Sequence, residues 1–82
     1  MDIVKVFGTN VRKYRNEKGL SQEKLGELSN LHRTYISDIE RFKRSIALEN
    51  IQHIADALNI DTFKLFIEPE ELSNGKREVN QD

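Results

Sequence analysis

With 82 residues and no cysteine, the chain makes one small domain whose core gains nothing from disulfides or a thiolate-bound metal. Its formal net charge of −1 conceals an asymmetry: residues 1 to 45 carry ten Lys or Arg against six Asp or Glu, and residues 46 to 82 carry three against eight. There is no apolar run of about 18 residues and no basic-then-apolar leader pattern, so a cytoplasmic protein is expected and a membrane-embedded one is not.

Val6, Val11 and Tyr14 give one apolar side to a first helix over residues 4 to 17, and Gly19 suits a left-handed position after its end. Leu20 follows as a packing residue, and Ser21 is a good N-cap for a second helix with Leu25 and Leu28 on an inward stripe. Four residues, Ser29 to His32, lead to a third helix from Arg33 to Glu40, with Ile36 and Ile39 facing in. Leu48, Ile51, Ile54, Ala55 and Leu58 mark a fourth helix with a broad buried face, and Asn59 is a reasonable stop. Ala47 offers no capping hydroxyl, which leaves Ser45 as an earlier option. Asp61 can cap a short fifth helix through Phe66 or Ile67 that brings Leu65 and Phe66 to the core.

Pro69 then opens a polar stretch in which only Leu72 and Val79 can anchor, so Glu70 to Asp82 is expected to be mobile. The organisation expected is all-α: a domain over residues 1–67 and a polar tail over 68–82, with no strand pattern or repeat.

The second and third helices carry the chemistry. Two short helices joined by so brief a turn form a helix-turn-helix, and the outward face of the second one holds Arg33, Thr34, Ser37 and Asp38. At the start of a helix laid in a major groove, Arg33 and Thr34 reach base edges. In an ordinary helical hairpin they are plain surface residues. The positively charged half of the chain coincides with this hairpin, which favours steering toward phosphate, although an acidic tail alone would produce the same asymmetry. Asp38 can accept from a cytosine amine or restrain Arg33. His32 reads as a helix-start residue, and with His53 its only histidine companion no metal site or cofactor is expected. Glu23, Glu27 and Asp38 have no partner motif for a nuclease, so an enzyme is not expected.

The segments LSQEKLGELSNLHRTYISDIER and ENIQHIADALNI, in this order of elements, resemble the Cro and phage-repressor family of compact five-helix DNA-binding domains over about residues 5 to 67. HRTYIS in a chain this short is similar to the controller proteins of type II restriction-modification systems.

The resemblance implies Gln22 on a backbone phosphate and Arg33, Thr34 and Ser37 on bases. It implies an ionic link between Arg15 and Glu40, and Lys43 and Arg44, in a basic run with Arg41, along the DNA backbone. Tyr35 is left between a phosphate contact and a structural role. Two positions depart from the family: Phe42 stands where Gly or Asn is usual, and Ala47 where Ser or Thr often caps.

A homodimer is implied through the last two helices, where Phe63 lies beside Ile60 and Ile67. The function implied is sequence-specific transcription control of restriction-modification genes, activating at low operator occupancy and repressing at higher, with RNA polymerase as a further partner when activating. A phage or plasmid repressor or DNA-binding antitoxin shares the fold. A protein-binding helical adaptor is the reading from another class.

Overall fold

Side chains from every helical element meet in one core: Val6, Val11, Leu25, Ile36, Ile39, Ile54, Leu58 and Leu65 are each at most 1% exposed. The structure, a computed structural model, describes residues 1–70 and 72. Among the described residues, four α-helices run Ile3–Glu17 (α1), Gln22–Ser29 (α2), Arg33–Glu40 (α3) and Leu48–Leu58 (α4), and a 3-10 turn, Thr62–Phe66, closes the domain. No strand occurs among the described residues, and none of their helices is long and apolar enough to cross a membrane. Helix α3 packs on α1 and α2, α4 lies against α2, and the closing turn rests chiefly on α1.

Local chemistry sets the boundaries. Three helices begin on side-chain caps: Asp2 Oδ1 accepts from the amides of Val4 and Lys5, Ser21 Oγ from Lys24 and His32 Nδ1 from Thr34. The N-cap of α4 is Ala47, which makes no such bond. Each α-helix is closed by a left-handed residue: Gly19, Asn30, Phe42 and Asn59, with φ of 68°, 60°, 63° and 56°. At α3 the amide of Phe42 donates to the Ile39 carbonyl and that of Lys43 to Asp38, the two bonds of a Schellman end. A side chain at such a φ costs about 1 kcal/mol or more. Phe42 offsets part of this by laying its ring on the α1 backbone at Gly8.

Several expectations are corrected. Leu28 is 51% exposed, because the buried face of α2 passes through Leu25, Gly26 and Ser29 instead. Leu48 is 81% exposed as the first residue of α4, and the core face begins at Ile51. Neither Asp61 nor Ser45 caps through its side chain, while the short fifth helix expected through Phe66 is present in 3-10 form. Ser29 is still helical, so the connection within the helix-turn-helix is Asn30 to His32. Phe7, absent from the predicted core, is 4% exposed and meets Phe66 with ring centroids 5.4 Å apart. Within the predicted tail, Pro69 is buried and its carbonyl accepts from the Leu72 amide at 3.0 Å. The rest of the expected mobile segment, residue 71 and residues 73–82, lies outside the described residues.

The tightness of the α2–α3 turn depends on Gly26. A Cβ there would sit 2.5 Å from the Leu31 carbonyl oxygen and 3.3 Å from the Arg33 amide nitrogen, both backbone atoms. Gly26→Ala is therefore expected to destabilise the fold by about 1–3 kcal/mol, as overpacking does. Urea unfolding followed by circular dichroism measures it; an unchanged midpoint would show that the turn opens freely.

Candidate nucleic-acid interface

Glu40, at the last position of α3, is 7% exposed and takes three hydrogen bonds from side chains of two other helices. Arg15 of α1 binds it through two parallel bonds, Nε to Oε2 at 2.7 Å and Nη2 to Oε1 at 2.9 Å. The same guanidinium donates to the Leu20 carbonyl at 2.8 Å. Gln22 of α2 adds Nε2 to Oε1 at 3.1 Å. The bond to Glu40 raises the Arg15 pKa above its ordinary value, against the opposing effect of burial. The clamp joins α1, α2 and α3 where α3 ends, while Ile36 and Ile39 fix which face of α3 points out.

That outward face is assembled with part of α2. Gln22, Arg33, Thr34, Ser37, Asp38 and Arg41 line one shallow concavity. Arg33 and Thr34 are exposed, and Ser37 is half-buried. Gln22 spends one amide hydrogen on Glu40 and so sits at the edge of this surface in a fixed orientation. The concavity offers two guanidinium groups, two hydroxyls and an amide, a donor set suited to base edges and phosphate oxygens.

The second group lies on the flank of α3. The Tyr35 hydroxyl accepts from Asn50 Nδ2 of α4 at 3.1 Å, which leaves its own hydrogen available to donate. Arg44 rests over the Tyr35 ring, 4.7 Å from the centroid, and its Nη2 lies 3.5 Å from Asp38 Oδ2. The sequence places Arg44 along the DNA backbone and lets Asp38 accept from a cytosine amine or restrain Arg33; in the structure the ion pair of Asp38 is with Arg44. Lys43 is exposed.

At the far end of the domain, Phe63 is 61% and Ile67 55% exposed, and Ile60 is half-buried against the core. The chain's own core therefore does not take up the Phe63 ring. Asn10 of α1, 2% exposed, donates through Nδ2 to the carbonyls of Leu65 at 2.9 Å and Ile67 at 2.8 Å. Both amide hydrogens hold the segment from which Phe63 and Ile67 project.

Sequence reasoning missed Asn10, Asn50 and the place of Arg41. Arg41 was recoverable, since it follows Ser37 by four positions on one helix face. Nothing local links Asn10 to Ile67 or Tyr35 to Asn50.

Residues 11–65 match the helix-turn-helix family. The chain is 49% identical over 65 residues to the control protein C.SmaI of Serratia marcescens, covering 79% of this chain and 77% of that protein. The crystal structure of the restriction-modification controller protein C.AhdI from Aeromonas hydrophila superimposes with a TM-score of 0.75 at 44% identity, over 77% of this chain and 96% of that one. C.Esp1396I bound to a 19 base pair DNA duplex superimposes with a TM-score of 0.74 at 35% identity, over 80% of this chain and 88% of that one.

Arg15→Ala would leave the Glu40 carboxylate buried without its principal partner. The expected loss is about 3–5 kcal/mol, read from urea unfolding. A loss below about 1 kcal/mol would mean that Glu40 turns to water and that the clamp does not position α3.

Proposed function

This chain belongs to the helix-turn-helix family, and from that membership we propose that it is a sequence-specific transcription regulator of the restriction-modification controller kind. The observation that carries the proposal is the division of α3 into two faces. One face is locked into the core by Ile36, Ile39 and Glu40, and the other presents Arg33, Thr34 and Ser37 on a rigid support. Its likeness to a controller bound to a DNA duplex supports placing that face in a major groove.

In this reading Arg33 donates two parallel bonds to guanine O6 and N7, the Thr34 methyl meets a thymine methyl, and Ser37 completes the base contacts. Gln22, Tyr35, Lys43 and Arg44 hold backbone phosphates. These contacts add affinity and salt dependence and read no base directly. Arg15 and Glu40 orient the reading helix without touching DNA. Two copies pair through Ile60, Phe63 and Ile67 in the cytoplasm and present two α3 helices to an operator with internal symmetry. Filling one operator activates, with RNA polymerase as partner, and filling a neighbouring one represses.

Footprinting the DNA that flanks the gene over a range of protein concentrations tests the controller reading. Adjacent symmetric sites filled in order are expected; a single palindromic site would move the assignment to a repressor. Arg33→Ala is expected to lose about 1–3 kcal/mol of discrimination at its base pair, measured by titrating matched and substituted operators at fixed salt. An equal loss on both would make Arg33 a backbone contact. Phe63→Asp is expected to give a folded monomer with weakened operator binding, because two linked half-site contacts become independent. Sedimentation over a concentration series decides: a dimer as tight as the parent would place the interface elsewhere.

A further inference from the structure

The geometry points to Asp38 as a specificity-determining residue that acts through Arg44: their ion pair competes with DNA phosphate for the guanidinium and makes that phosphate contact conditional on sequence. This inference rests on the DNA-reading function proposed above. Asp38 is the carboxylate among the residues that line the reading concavity, beside Arg33, Thr34 and Ser37. A carboxylate there repels phosphate, so its presence on this face calls for an account. Arg44 reaches it from the loop after α3, at 3.5 Å, with side chains 48% and 25% exposed.

An ion pair so long and so open to water holds little free energy, so it can exchange for a phosphate oxygen at small cost. The Tyr35 ring holds the guanidinium against the surface, at 4.7 Å from its centroid. When Arg44 leaves, however, Asp38 loses its partner against a negatively charged duplex. Only a sequence that offers a replacement donor, the exocyclic amine of cytosine or adenine in the major groove, lets the exchange proceed without that loss. On other sequences the pair stays closed and the protein makes one phosphate contact fewer.

Asp38→Asn keeps the shape and one acceptor oxygen but releases Arg44. Its affinity for a random-sequence duplex is expected to rise about two- to fivefold, the weight of an exposed ion pair. The slope of log affinity against log salt should steepen by roughly one, the contribution of a single added phosphate contact. Operator affinity should rise less, so the ratio of specific to non-specific binding falls.

Bulk removal of a negative charge would also tighten binding, and the double variant Asp38→Asn with Arg44→Ala separates the two causes. If Asp38 acts through Arg44, Asp38→Asn adds a phosphate contact to the salt slope only while Arg44 is present, and its gain in non-specific affinity is smaller once Arg44 is gone. An equal gain with and without Arg44 overturns the inference in favour of simple repulsion. An unchanged random-duplex affinity in the single variant overturns it too. A parent protein that binds no duplex in the same titration removes the DNA-reading function itself, a result distinct from either.

Discussion

The Glu40 carboxylate, buried at the meeting point of three helices, is the constraint on which the remaining arrangement depends. Moving such a charge out of water costs several kcal/mol, and the bidentate Arg15 pair with the Gln22 amide does little more than offset that cost. Its value is geometric. Apolar side chains such as Ile36 and Ile39 set which way α3 faces but tolerate small slides along the axis. Two parallel hydrogen bonds at 2.7 and 2.9 Å do not. The position of the outward residues of α3 relative to α2 is therefore set by a polar contact, and the core supplies the free energy that lets it form.

The parts of the molecule legible in the sequence are those governed by local chemistry. Ser21 caps α2, Gly19 and Asn59 close α1 and α4 in left-handed conformations, and α3 runs from Arg33 to Glu40 as its apolar spacing indicates. Leu28 was misplaced because a helix of eight residues has room for only one buried stripe, and a one-position rotation carries an apolar residue from core to solvent. Phe42 was recognised as awkward for its position, but its ring contact with α1 at Gly8 joins residues far apart in the chain. The same distance hid the Asn50 bond to Tyr35. At the reading face the sequence supplied the residues and their order. The pairing of Asp38 with Arg44 was not visible, since either arginine was within reach of that carboxylate.

The closing turn shows how a weak local element is made definite by a distant one. Thr62–Phe66 has no side-chain cap, and five residues of 3-10 helix hold few internal bonds. Asn10 supplies what is missing by binding carbonyls on both sides of Phe66, while the Phe7 ring packs on that residue. A buried amide with both hydrogens satisfied is inexpensive, whereas two orphaned carbonyls would not be. The exposed apolar patch at Phe63 and Ile67 is thus held by α1, the helix that also anchors α3 through Arg15.

The two-faced construction of α3 also bears on how such a protein diverges. Its structural obligations rest on Ile36, Ile39 and Glu40, and Arg33 and Thr34 contribute exposed side chains to no part of the core. Substitutions at exposed helix positions usually shift stability by less than about 0.5 kcal/mol. If those two side chains read bases as proposed, lineages can drift to new operators by exchanging them while keeping one scaffold. Paralogous regulators that share a cell can become mutually blind by the same few changes.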